Sequence, residues 1–257
     1  MNVKAKKHLG QHFLTDENIA KKIVEGLDFQ PYQYVLEVGP GTGVLTKYLL
    51  EKPTETYVAE IDTESIEYLK LHYQKLENKH FTGDFLKINL SDVFSGEVAV
   101  IGNFPYNISS QILFKIIENY QQIPEMVGMF QKEVAERTAA VPRTKDYGIL
   151  SVLVQAYYDV KYLFTVHENV FNPPPKVKSG VIKLTRNRKE GLEGNEILFK
   201  QIVKTGFGQR RKKLSNALKS LDIPEVLKSH AFMDKRAEEL SVKDFINFTQ
   251  EWKAAKN

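Results

Sequence analysis

The sequence predicts an α/β protein: a mostly parallel sheet covered by helices on both faces, followed by a small all-helical segment. Three observations lead there. Short apolar runs alternate with stretches of helical spacing through the first two-thirds of the chain. A glycine-rich segment joins one such run to the helix behind it. After Leu184 the pattern turns polar and glycine-containing, and then purely helical.

The candidate strands are Tyr34–Val38, Thr56–Glu60, Val98–Gly102 and Met126–Phe130, each bounded by Gly, Pro or charged residues. Between them, Leu45, Leu49 and Leu50, and later Ile66 and Leu69, recur at helical spacing. Strands alternating with helices favour parallel pairing, because each crossover lays a helix on the sheet. Val160–Val166 and Gly180–Leu184 are expected as an antiparallel pair joined by a proline-rich loop. The stretch TRNRKEGLEGN reads as a linker, which places a domain boundary between residues 1–186 and 187–257. Beyond it Leu214, Ala217, Leu218 and Leu221 fall at i, i+3, i+4 and i+7, and GFGQ at 206–209 is expected to break or bend the helical pattern.

Composition narrows the possibilities. Hydrophobic residues make up 42% of the chain, enough for a substantial core. There is no cysteine, which excludes disulfides, thiolate metal sites and thiol nucleophiles. His8 and His12 lie four apart, but Gly10 separates them and no further ligand completes a set, so no metal is expected. No apolar run approaches the ~20 residues of a membrane span, and the first residues lack a signal-peptide core, so a cytoplasmic protein without a membrane partner is expected. Net charge is only +4, yet residues 187–257 hold 15 Lys/Arg against 10 Asp/Glu. Phe199–Ser220 contains seven basic residues and no acidic one, an asymmetry that suits a polyanion.

The glycine-rich segment YVLEVGPGTGVLTKYL places Gly39, Gly41 and Gly43 between a strand and an amphipathic helix, where a backbone approaches a ligand closely. Val44 occupies the position where a dinucleotide fingerprint wants its last glycine, and no Lys-Ser/Thr follows to grip a phosphate. The spacing therefore suits a cofactor without a pyrophosphate. Glu60, at the end of the second strand, is placed to accept ribose hydroxyls. Asp84, after the expected third strand, is placed to meet an adenine amino group. S-adenosylmethionine fits all three positions.

Asn103-Phe104-Pro105-Tyr106 follows the next strand. In a doubly wound sheet it sits at a carboxyl end, beside the cofactor crevice. An exocyclic adenine amine is a poor nucleophile because its lone pair is delocalised into the ring. Two acceptors on its hydrogens would hold it pyramidal and free the pair for attack. The Asn103 side chain supplies one and a backbone carbonyl near Phe104–Pro105 the other, while Tyr106 stacks on the base. Pro105 fixes its own φ and extends Phe104, so the acceptors are pre-set. The motif alone does not separate a DNA substrate from RNA.

Across nearly its whole length the chain resembles the ribosomal RNA adenine dimethyltransferases. The resemblance rests on LGQHFL, EVGPGTG, NFPYNISS, QKEVAER, DYGILSV, FNPPPKVKS and QRRKKLSNAL, in that order. The last two look most similar to the bacterial branch that dimethylates two adjacent adenosines near the 3′ end of small-subunit rRNA. The resemblance implies a Rossmann-like class I methyltransferase fold with a seven-stranded sheet. It implies cofactor roles for His12, Leu14, Gly39, Gly41, Glu60, Asp84 and Asn103, with His12 departing from the Asn often seen in that family. Phe171, ahead of three prolines, would hold the other face of the base. Arg210, Arg211, Lys212 and Lys213, with help from Lys4, Lys6 and Lys7, would contact RNA phosphates. The implied partner is small-subunit rRNA within the 30S subunit or its precursor, bound by a monomer. Two other readings stay open: a DNA adenine methyltransferase, and a ribosome-assembly factor that has lost its chemistry.

Overall fold

The computed structural model describes residues 3–256. Two compact units emerge, Met1–Glu136 with Asp159–Arg186, and Arg137–Tyr158 with Asn187–Asn257. The second unit thus takes the segment 137–158 as well as everything after 186. A single division at residue 186 does not describe this arrangement. The reason is packing: Ile149–Gln155 buries Val152, Leu153 and Val154 and lies against Glu196–Gly208, far along the chain.

The first unit holds six strands in one sheet: β2 (Tyr34–Val38), β3 (Glu55–Ala59), β4 (Val98–Asn103), β5 (Glu125–Gln131), β6 (Tyr158–Val166) and β8 (Ser179–Arg186). Their order is β3-β2-β4-β5-β8-β6. The pairs β2–β3, β2–β4 and β4–β5 are parallel, and β5–β8 is antiparallel. Two short strands, β1 (Phe13–Leu14) and β7 (Phe171–Asn172), pair separately and antiparallel. The expected seventh strand, before Asp84, is reduced to one parallel bridge between Phe81 and Val58. A 3-10 turn at Asn78–His80 precedes it, and Gly83 at φ +79° turns the chain away after it, so no ladder has room to form.

Strands β2 and β4 are apolar but for Glu37 and Asn103, because helices cover both faces. Ala99 and Ile101 share one face with Val35, Val127, Met129 and Val181, beneath Ala20, Ile23 and Val24 of α1 (Glu17–Val24) and beneath Leu49 of α2 (Thr46–Leu49). Asp16 caps α1 by accepting from the Asn18 and Ile19 amides at 2.9 and 3.0 Å. Beyond β3, α3 (Thr63–His72) buries Leu69 against Val58. The four-residue helix α4 (Leu90–Val93) leads into β4, and α5 (Ser109–Glu118) buries Ile112, Leu113 and Ile116.

The order runs outward from β2 in opposite directions, to β3 on one side and to β4 and β5 on the other. Between β2 and β4 lies the topological switch point, where the carboxyl ends of parallel strands open a crevice. Both motifs singled out in the sequence leave the sheet there.

The second unit is helical. After α6 (Lys132–Ala139), which spans the boundary, come α7 (Ile149–Gln155), α8 (Glu196–Gly208), α9 (Leu214–Ala217) and α10 (Val242–Ala254). Phe199, Phe245, Phe248 and Trp252 are buried in it. The buried Tyr147 hydroxyl donates to the Leu240 carbonyl at 2.9 Å, and Gln155 ties down the carbonyls of Thr138 and Ala140. GFGQ ends α8 at Gly208. Among the described residues no helix is long and apolar enough to cross a membrane.

Candidate active site

A cleft of about 150 Å³ opens at the switch point. Its walls include His12, Gly39, Gly41, Glu60, Asp84, Asn103, Pro105 and Tyr106, brought together from five separate stretches of chain.

Gly39, Gly41 and Gly43 sit at φ +68°, +55° and +83°, a region that L side chains rarely adopt. Space forbids a side chain too: a Cβ on Gly41 would lie 2.7 Å from the Phe13 ring. Glu60 is buried, and its carboxylate accepts from the Gly41, Ile61 and Asp62 amides at 3.2, 2.8 and 2.9 Å. Burial pushes its pKa up, and those three amides pull against that. A carboxylate has about four acceptor sites. Three are taken, which leaves one for a hydroxyl in the cleft. Asp62 does not share a strand with Glu60. It instead follows the end of β3 and caps α3, accepting from Ser65 and Gln11 and pairing with Lys6. Asp84 accepts from the Leu86 amide at 3.0 Å and lines the far wall.

Asn103 ends β4. Its Nδ2 donates to the His12 carbonyl at 2.8 Å. A carbonyl only accepts, so this bond fixes which way the amide points, and Oδ1 has no donor among the described residues. The Phe104 amide extends the ladder by donating to the Met129 carbonyl at 3.1 Å. The Pro105 carbonyl is engaged by the Ile108 amide at 3.3 Å, whereas the Phe104 carbonyl receives no donor among the described residues. The Phe104 ring is buried in space left by Gly102 and Gly128, and a Cβ on either glycine would collide with it. Phe130 meets it at 4.8 Å between ring centroids. This lock beneath the tetrapeptide holds Asn103 and Pro105 in place.

Tyr106 donates to or accepts from Ser179 Oγ at 2.6 Å, and burial raises its pKa. The His12 ring stacks on it, 5.5 Å between centroids and 27° between planes. His12 Nδ1 lies 2.7 Å from the Pro173 carbonyl and must carry the proton in that bond.

A family model described as ribosomal RNA adenine dimethylase matches residues 2–254. The chain belongs to this family. The ribosomal RNA small subunit methyltransferase A of Flavobacterium johnsoniae is 59% identical over 253 residues, covering 98% of this chain and 97% of that protein. Its counterpart in Cytophaga hutchinsonii is 57% identical over 249 residues, covering 96% of each. Among solved structures, a dimethyladenosine transferase from Plasmodium falciparum superposes with a TM-score of 0.83 at 26% identity, covering 95% of this chain and 98% of that one. The 23S rRNA methyltransferase ErmE gives 0.68 at 25% identity, covering 94% and 99%. The class I methyltransferase fold and methyltransferase activity follow from membership of the dimethylase family.

Of the residues implied by the family resemblance, His12, Gly39, Gly41, Glu60, Asp84 and Asn103 all line the cleft. Leu14 is buried and borders a smaller adjoining cleft with Gly39 and Asn103. Phe171 is placed differently from these residues. It is only 4% exposed and belongs to the core beside Leu14 and Val181, lining none of the clefts that Tyr106 lines. Its strand pairs with β1, Leu14 opposite Phe171, and alternation turns Phe171 inward and Asn172 outward.

The basic cluster also divides. Arg210 spends its guanidinium inside the second unit, pairing with Glu238 at 2.5 Å and donating to the carbonyls of Lys145 and Thr144 at 2.8 and 3.0 Å. Lys213 pairs with Asp234 at 2.9 Å on the surface. Arg211 and Lys212 are exposed and make no ion pair among the described residues. In the first unit, Lys6 pairs with Asp62 and Glu64.

One site residue escaped the sequence reading. Glu37, within β2, is 1% exposed and accepts from Thr46 Oγ1 at 2.5 Å. It borders the smaller cleft, and burial pushes its pKa up to about 8. The signal was a carboxylate inside a strand that is otherwise entirely apolar.

Proposed function

We propose that the protein dimethylates the N6 amines of two adjacent adenosines in the 3′-terminal hairpin of 16S rRNA, using S-adenosylmethionine, within the small subunit or its precursor. One observation carries this reading: Asn103 Oδ1 and the Phe104 carbonyl are two acceptors without donors among the described residues, on consecutive cleft residues held by a locked amide and a strand ladder. An adenine amine brings two N–H donors. Bound to both acceptors it is oriented and held pyramidal, which localises its lone pair. Positioning and charge stabilisation then accomplish the step without a strong base.

The residues present fit S-adenosylmethionine. The left-handed Gly39 and Gly41 leave bare backbone on the cleft wall, the free acceptor site of Glu60 suits a ribose hydroxyl, and Asp84 suits the amino edge of adenine. When bound, the cofactor supplies an electrophilic methyl on a sulfonium. Asn103 and the Phe104 carbonyl orient the incoming amine, and Tyr106 supports the ring from the side where Ser179 anchors its hydroxyl.

The test is transfer of labelled methyl groups into small subunits from cells lacking this protein. Asn103→Ala is expected to abolish transfer while leaving binding of the subunit near normal, with the label in the wild-type reaction mapping to N6 of two neighbouring adenosines. Unchanged turnover in the variant, or label entering duplex DNA but not small subunits, overturns the reading.

A further inference from the structure

Two more cavities continue from the cleft within the same unit. One, of about 450 Å³, extends from His12 and Tyr106 to the Pro173–Pro175 loop and Lys176. The next, of about 360 Å³, is bounded by Gln131, Lys132, Glu133, Glu136, Val177 and Lys178. Gln131 and Val177 line both, so the two cavities share a wall.

Gln131 is placed as firmly as the catalytic motif. It closes β5 and is in register with Ser179, the residue whose hydroxyl holds Tyr106. Its side-chain amide has no hydrogen-bond partner among the described residues, although it is half-buried between the cavities. Lysines outnumber carboxylates around the two cavities, Lys7, Lys132, Lys176 and Lys178 against Glu133 and Glu136. Lys7, Lys176 and Lys178 are exposed and make no ion pair among the described residues, and Lys132 makes only a surface pair with Glu136 at 3.1 Å. A polar amide between two cavities, with Lys7, Lys176 and Lys178 unpaired among the described residues around them, fits a nucleotide strand better than an apolar partner. Phosphates meet the lysines and a base edge meets the amide. A Gln amide offers one donor and one acceptor, the complement of the N6/N7 edge of adenine.

Resting on the reaction proposed above, in which the target base lies against Tyr106, we propose that the second cavity holds the neighbouring adenosine, that Gln131 reads its N6/N7 edge, and that Lys176 and Lys178 hold the adjoining phosphates. One surface then handles both adenosines of the pair. A consequence follows from the chemistry of the product. A dimethylated N6 carries no hydrogen, so the Gln131 carbonyl loses its partner once the neighbour is modified. Recognition is tightest when both adenosines are unmodified and weakens as the reaction proceeds.

The test uses small subunits reconstituted with rRNA that is either unmodified or dimethylated in advance at one adenosine of the pair. Equilibrium binding is measured beside methyl transfer. Wild type should bind the half-modified subunit roughly tenfold more weakly, the worth of one good base-edge contact. Gln131→Leu should bind the unmodified subunit roughly tenfold more weakly than wild type does, with the loss in KM rather than kcat, and should no longer distinguish the two subunits. Lys176→Glu with Lys178→Glu should lower the slope of log affinity against log salt by about two. If Gln131→Leu binds normally, or still discriminates tenfold, the role of Gln131 is overturned; an unchanged salt slope overturns the lysine contacts. Wild type that binds and discriminates but transfers no methyl sinks the proposed reaction and leaves the reading of the neighbouring base standing.

Discussion

Glu37→Gln should stabilise the protein, and the gain should grow with pH. Glu37 has an ordinary pKa of 4.5 in the unfolded chain and about 8 in the fold, where burial disfavours its charge. Below 4.5 both states hold the protonated acid, and the side chain adds no penalty. As pH rises toward 8 the unfolded chain loses the proton while the folded one keeps it. Stability is therefore lost across that window at about 1.4 kcal/mol per pH unit, and about 5 kcal/mol over the whole span. Glutamine cannot ionise, yet its side-chain carbonyl can still accept from Thr46. Between pH 5.5 and 7.5 the variant should gain about 2.7 kcal/mol relative to wild type. In a chain of this length that is a relative rise in Tm of about 5–10 °C. Thermal unfolding of both proteins at the two pH values reads it directly. Glu60 is also raised by burial and adds a slope of the same sign, but it is present in both proteins and drops out of the difference. A Tm offset that is the same at both pH values would refute the reasoning.

Two predictions concern the lock and the basic cluster. Gly128→Ala drives a methyl into the Phe104 ring and should cost about 2 kcal/mol by urea unfolding; adding Phe104→Leu should recover at least about 1 kcal/mol of it, and strict additivity would show that the ring is not the obstacle. Arg210→Ala strands Glu238 and two carbonyls and should lower stability by about 1–2 kcal/mol, whereas reversing Arg211 and Lys212 should leave the melting curve unchanged while reducing the salt dependence of subunit binding; the opposite pattern would return Arg210 to the RNA surface.

The parts of the fold legible in the sequence are those governed by local pattern. Strands covered on both faces must be apolar, so Tyr34–Val38 and Val98–Gly102 declared themselves, and the structure moves their ends by a residue at most. The glycine spacing and the Asn-Phe-Pro-Tyr turn were equally visible, because special backbone geometry restricts residue choice on the spot. What local pattern could not place depends on partners distant in sequence. Arg210 looks like a free cation in a basic run until Thr144, Lys145 and Glu238 fold around it. Phe171 looks like a loop aromatic until pairing with Leu14 decides which way it points. The missing seventh strand turned on Gly83, whose positive φ has no signature beyond being glycine.

The costs in this unit collect at one place. Glu60 and the left-handed Gly39 and Gly41 line the crevice between β2 and β4, and Glu37, also raised by burial, borders the smaller cleft beside it. Nothing in the packing of the sheet requires them, since an apolar residue at position 37 would suit a strand buried on both faces better. A buried carboxylate is stabilised where a cation arrives to share its environment, because the cation then takes over the stabilisation that water gave in the unfolded chain. A sulfonium cofactor with an ammonium group is such a cation, and a neutral or phosphate-bearing ligand is not. The same logic separates this cleft from a dinucleotide site. There, glycines free backbone amides for a negatively charged pyrophosphate at a helix N-terminus. Here the Gly41 amide is already spent on Glu60, so the loop presents carboxylates where a phosphate cradle would present donors. On the function proposed above, the charge of the crevice suits a cationic cofactor, and the acceptors at Asn103 and Phe104 suit the amine that meets it.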